Sequence, residues 1–294
     1  MTGWVPFTGL TAVVLTLLLG LARLSQRAVS DQPALPEAPE PTTPGDGTGD
    51  TDDGPQAESA TPEPRPVTIS GTMDADERTE STAPPTDSGA NPQQEFSTGA
   101  LLANVALTQG LFGAIVAAGA WYYEIPAAAL GLTETAVGTG ALAVGVGIVF
   151  GVLLWTANEI SATVADAVGA TYDESLREML APDSIPGWIL LLGVILPIIA
   201  IVEELLFRAA LIGVPAAGFS IHPLALAIFS SALFALGHGA QGKVGIAVTG
   251  GLGFVLAGGY ILSGSLLVVI IAHYLVNALE FVVHEGIGAE RGLS

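Results

Sequence analysis

Between Pro197 and Pro215 the chain reads PIIAIVEELLFRAALIGVP, two adjacent carboxylates and an arginine set into an apolar run long enough, with its flanks, to cross a bilayer. A spanning helix needs about 20 apolar residues, and each charge placed at mid-membrane costs about 2.5–3.5 kcal/mol on insertion scales. Three such groups restrict the fold to one in which this helix is enclosed by others, its charges paired or lining a polar cavity. Helical geometry sorts them. Glu204 and Arg208 are spaced i,i+4 and share a face, so they form the ion pair. Glu203 lies about 100° further round, on the face of Phe207. It is left as a carboxylate without an evident partner, available as a base or a ligand. A buried triad that serves only helix packing is the competing reading.

Half of the residues are hydrophobic and 12% are charged, yet the formal net charge is −20, a combination that one soluble globule does not accommodate. It resolves if the chain is two materials. Residues 30 to 97 hold most of the acids among Pro, Thr, Ser and Gly, with almost no bulky apolar side chain. Such a segment cannot bury enough surface to offset chain entropy and reads as a disordered acidic linker over 29–97, a solvated spacer. The excess of acid continues around Asp166 to Asp183 and argues against nucleic acid or anionic lipid as a partner. With no cysteine, disulfides, thiolate nucleophiles and Cys-ligated zinc are all excluded.

Residues 4 to 22 form a continuous apolar run followed by Arg23 and Arg27, with neither a basic n-region nor an A-x-A-like cleavage site, so the segment 1–28 is expected to be a retained membrane helix. The two arginines place its C-terminal end, and the linker, in the cytoplasm. From Thr98 the composition becomes apolar again. Spans are expected at about 99–122, 135–157, 187–214, 223–239, 243–262 and 265–284, seven with the first, which predicts an all-α polytopic transmembrane bundle followed by a short tail, 285–294. Trp121, Tyr122, Tyr123 and Trp188 fall at span ends, where aromatic rings prefer the interface. Small residues at i,i+4, such as Gly147 with Gly151 and the line Gly245, Thr249, Gly253 and Ala257, predict close helix approach. Residues 158–184 read as either a surface helix or a flexible loop.

The later spans repeat the i,i+4 spacing with polar residues, Phe234 with His238 and His273 with Asn277. Taken singly, a membrane histidine is as readily a hydrogen-bonded packing residue as a functional one. Depth joins them. At ~1.5 Å per residue from the adjoining turns, Glu203, His238, His273 and Asn277 lie roughly 16, 22, 13 and 19 Å in, all in the middle of a ~30 Å core and towards the side that carries Lys243. An acid, two imidazoles and an amide at one depth have the composition of an active site.

The order Glu-Glu-x-x-x-Arg (Glu203, Glu204, Arg208), Phe-x-x-x-His (Phe234, His238) and His-x-x-x-Asn (His273, Asn277), each on its own helix, resembles the CAAX prenyl protease and bacteriocin-processing (CPBP, or Abi) intramembrane endopeptidases. The resemblance covers roughly residues 98–284, with no departure at the motif positions; His222 and His284 lie outside the motifs as helix-end residues. It implies that Glu203 and His238 hold and deprotonate a water and that His273 and Asn277 donate to the oxyanion, with Glu204, Arg208 and Phe234 in support. It also implies a membrane-associated peptide or protein substrate, of the prenylated CAAX type among others. A cell-membrane location is expected, with the site opening on the side that carries Lys243, which is the cytoplasm if the topology above holds. An amide donor such as Asn277 suits an oxyanion hole. Pro197, which removes a backbone donor, is expected to kink the helix near Glu203.

Glu203, His238 and His273 also form a set that suits a divalent metal such as zinc, with water in the open position. The H-E-x-x-H spacing is absent, and the metal-free reading is preferred. Two other classes use the same residues. A proton-coupled transporter would use Glu203, His238 and His273 as a relay and predicts inverted repeats, which the polar motifs do not show. A noncatalytic membrane scaffold or immunity protein would tolerate loss of Glu203.

Overall fold

The structure, a computed structural model, describes residues 3–30, 98–167, 169 and 175–287, and these contain helices and turns but no strand. The helices are α1 (Trp4–Ser30), α2 (Thr98–Tyr122), α3 (Ala141–Ala167), α4 (Ser175–Leu180), α5 (Ile185–Phe219), α6 (Pro223–Gly237), α7 (Gly242–Ser263) and α8 (Leu266–Phe281), whose winding continues to Ile287. Six of them, α1, α2, α3, α5, α7 and α8, are long and apolar enough to cross a membrane, while α6 has 15 residues. The chain is thus a polytopic helical membrane protein. The acidic linker lies outside the described residues from position 31 onward, as does the tail from 288.

The span expected at 135–157 is displaced. Residues 133–140 instead form a turn in which Gly138 N–H donates to the Thr135 hydroxyl, and α3 starts at Ala141 and runs on to Ala167. Asn158 and Glu159, which read as the end of an apolar run, continue the helix because they find partners on α8. The expected span 223–239 stops at Gly237, where His238 is the C-cap, and His222 caps the other end by accepting from Leu224 N–H.

The 35 residues of α5 are one continuous helix of varying pitch. Near Pro197, where a kink is expected, the helix has π winding at Leu191–Ile195, just before the proline, and a second π stretch, Leu205–Gly213, precedes Pro215. Proline lacks an N–H and crowds the carbonyl four residues back. The wider π turn, bonded i→i+5, relieves that crowding. Glu203 and Glu204 end the ordinary α-helical segment between the two π stretches.

Close approach sets the frame of the bundle. A Cβ on Gly151 would come within 2.9 Å of backbone atoms of Ala272, and one on Gly147 within 2.9 Å of the Val268 carbonyl oxygen, so α3 and α8 are in backbone contact. The start of α8 is fixed by Ser265, fully buried, which accepts from Val268 N–H and donates to the Gly138 carbonyl, while Leu266 N–H donates to Gly131 O. Helix α1 is part of the same bundle: Phe7, Thr11, Val14 and Leu15 are buried, Gly119 makes room for Leu10 and Gly218 for Trp4. Towards the outside the bundle presents Leu107, Leu153, Ile189, Phe229 and Leu262, apolar side chains suited to lipid.

Candidate active site

The charged residues of α5 are enclosed by α6, α7 and α8. Arg208 is 1% exposed and donates from Nη1 to Glu204 Oε1 at 2.6 Å, the pair that the i,i+4 spacing predicts. Its Nη2 donates to the carbonyl of Gly253 on α7 at 3.0 Å, and the guanidinium lies 4.8 Å from the centroid of the Phe234 ring. Gly253 is one of the aligned small residues of α7, and a Cβ there would press on Phe234 at 3.0 Å. The small-residue line therefore brings a backbone acceptor up to a buried cation, a use beyond helix packing.

Glu204 has a second partner that the sequence does not reveal. His273 Nδ1 donates to the same Oε1 at 2.7 Å, which joins α8 to α5 through one carboxylate. With Nδ1 so committed, the His273 ring offers only Nε2, which lies 3.7 Å from Glu203 Oε2. That Glu203 oxygen is buried and makes no hydrogen bond to a described residue. His238 is oriented in a parallel way: its Nδ1 donates to the Phe234 carbonyl at 2.8 Å, leaving Nε2 available. A carbonyl can only accept, so the hydrogen bond fixes which nitrogen carries the proton.

Phe234 stands at the centre of these contacts. Its ring lies 4.5 Å from His238, 6.0 Å from His273 and 5.0 Å from Phe207, the last edge-on, and it is 1% exposed. Ser230, one turn earlier on α6, donates to the Phe207 carbonyl at 2.6 Å within the π stretch. The side chain on the face of Glu203 is thus tied to the helix that carries His238.

Glu203, His238, His273 and Asn277 line a single cavity of about 440 Å³. Apolar side chains of α2 and α5, among them Leu102, Leu191, Ile195 and Ile199, form much of its wall. Three separate elements, α5, the end of α6 and α8, contribute the four polar groups. Thr249, one of the aligned small residues of α7, lines the cavity too, as do Gln241 and Glu280, which were not singled out from sequence. Glu280 was within reach of the same reasoning, since it follows Asn277 by three positions and shares its helix face.

At Glu280 the cavity meets a second polar group. Arg177 of α4 pairs with Glu280 at 3.0 Å and with Glu285 at 2.7 Å, Asn158 donates to Glu280 at 3.4 Å, and His284 lies 2.9 Å from Glu159. His284, a helix-end residue by sequence, thereby helps join the ends of α3 and α8. Glu159, Glu280 and His284 are the trio among the described residues whose donor atoms fall within 4.8 Å of one another. Glu203, His238 and His273 do not converge in that way, so the set that suits zinc by residue type is not arranged as a three-donor cage.

Residues 185–279 match the family model described as Type II CAAX prenyl endopeptidase Rce1-like. No curated protein and no solved structure matches the chain. The matched segment runs from the start of α5 into α8 and includes all three motifs, Glu203–Glu204–Arg208, Phe234–His238 and His273–Asn277. Over this segment, about a third of the chain, the protein is similar to the Rce1-like CAAX-type endopeptidases, which supports the resemblance to the CPBP intramembrane endopeptidases that the three motifs carry.

Proposed function

We propose that the chain hydrolyses a peptide bond of a membrane-associated substrate, of the prenylated CAAX type, with a water activated by Glu203 and His238 and without a metal. The observation that carries this reading is a buried carboxylate oxygen, Glu203 Oε2, without a hydrogen-bond partner among the described residues, on a residue that shares one cavity with His238, His273 and Asn277. An uncompensated acceptor at membrane depth is costly, and a water satisfies it. His238, protonated at Nδ1, presents Nε2 as an acceptor as well. Two acceptors engage the two hydrogens of one water and turn its lone pair towards a carbonyl carbon.

As the water oxygen bonds to that carbon, its proton passes to Glu203; when the C–N bond breaks, Glu203 returns the proton to the leaving nitrogen. The intermediate oxyanion needs donors. Asn277 supplies an amide N–H, and His273, whose ring Glu204 orients at Nδ1, presents Nε2 to the same cavity as a second candidate donor. The apolar wall excludes bulk water and accepts the greasy part of a lipidated or membrane-embedded substrate. The site faces the cytoplasm if Arg23 and Arg27 lie on the inner side.

The test is cleavage of a library of membrane-tethered peptides by the purified chain in detergent, read by mass spectrometry. Cleavage by the native chain that is lost in Glu203→Ala and His238→Ala, both shown to be folded, supports the reading. Equal behaviour of native chain and variants against every peptide overturns it.

A further inference from the structure

We propose that Gln241 is a substrate-binding residue of this cavity, its amide donating to a backbone carbonyl of the peptide next to the scissile bond; this rests on the peptidase reading above. Gln241 ends the 3-10 turn Gly239–Gln241, and its backbone N–H donates to the His238 carbonyl at 3.1 Å, which ties it to one of the proposed catalytic residues. Its side chain lines the same cavity as Glu203, His238 and Asn277.

The chemistry follows from what already holds it. Thr249 of α7, largely buried, donates its hydroxyl to Gln241 Oε1 at 2.7 Å. A primary amide has one acceptor oxygen and two N–H donors. With the oxygen engaged, the plane of the amide is fixed and the –NH₂ remains, making no hydrogen bond to a described residue. Thr249 stands in the line Gly245, Thr249, Gly253, where close packing alone is met by glycine or alanine. Its hydroxyl is used to aim the amide.

A donor held in a mostly apolar cavity selects an acceptor, and the acceptor that every peptide carries, whatever its side chains, is the backbone carbonyl. Gln241 therefore supplies grip without sequence preference, beside a cavity wall that suits apolar groups. A bond to a carbonyl that does not react is equally strong in the ground and transition states, so it bears on KM and not on kcat.

Gln241→Glu and Gln241→Met together isolate this role. Glutamate keeps the shape and still accepts from Thr249 but trades the two N–H donors for a carboxylate; methionine removes the donors without adding charge, and the same rise in KM is expected in both. With the full chain in detergent and a fluorogenic prenylated peptide, KM is expected to rise about tenfold while kcat stays within about twofold. A C-terminally amidated version of the peptide must show the same rise, since a response confined to the free carboxylate would mean that Gln241 holds the chain end and would overturn the proposal. Native KM in either variant also overturns it. If neither variant folds, Thr249→Val decides, with a raised KM expected and a native KM contradicting. Binding of the same peptide to Glu203→Ala, with and without Gln241→Glu, separates this claim from the peptidase reading. If the native chain cleaves nothing, that reading fails; weaker binding in the double variant still supports a Gln241 site, and equal or absent binding removes it.

Discussion

His273 on α8 and Glu204 on α5 meet through a single oxygen, Oε1, which takes His273 Nδ1 at 2.7 Å and Arg208 Nη1 at 2.6 Å. The carboxylate that neutralises the buried guanidinium also fixes the ring that faces Glu203. Among the described residues Glu204 alone of the two neighbouring acids has side-chain hydrogen-bond partners, at Oε1; the proposed division of work gives it the positioning role and Glu203 the water.

Removing Glu204 has two separable effects. Glu204→Gln leaves the Arg208 guanidinium, 1% exposed, without its counter-charge and is expected to destabilise the fold by about 3–5 kcal/mol, read as a lowered melting temperature in detergent. Replacing both partners, Glu204→Gln with Arg208→Met, removes the orphaned charge and is expected to recover much of the stability. Cleavage is not expected to return, because His273 still lacks the carboxylate that orients it.

The contact between α3 and α8 sets the position of His273 and Asn277 and gives a prediction with an internal control. Gly151→Ala pushes a methyl group to 2.9 Å from the Ala272 backbone and is expected to cost about 1–3 kcal/mol and to reduce activity. Gly145→Ala, on the same helix but with nothing within 4 Å, is expected to be neutral or stabilising by up to about 1 kcal/mol, the helix-propensity gain. Thermal melts of the two variants side by side decide it.

A chelator tests the metal-free proposal. Glu203, His238 and His273 do not bring three donor atoms within 4.8 Å of one another, so activity is expected to survive EDTA and phenanthroline and to gain nothing from added zinc. Loss on chelation with recovery on zinc contradicts it.

Much of the site was legible because the membrane enforces simple rules. Spans near 20 residues and i,i+4 spacings placed Glu203, His238, His273 and Asn277 on three helices at one depth, and the cavity joins them. What the sequence withheld is tertiary. Nothing local marks Glu204 as the partner of His273, 69 positions away, because one carboxylate oxygen serves two helices. The end of α3 was misplaced because Asn158 and Glu159 look like solvent-facing termini until Glu280 and His284 on α8 are seen beside them. The packing of α1 into the bundle was hidden for a related reason: a continuously apolar helix gives no sign of which face meets protein and which meets lipid.

The central claim is that Glu203 activates the water, and the most direct measurement is single-turnover cleavage of a membrane-tethered peptide by Glu203→Gln beside the native chain. Glutamine preserves size and hydrogen-bonding shape but takes no proton. With the melting temperature unchanged, the cleavage rate is expected to fall by at least about 100-fold, the lower range for loss of a general base. A folded Glu203→Gln variant that cleaves at the native rate would contradict the account.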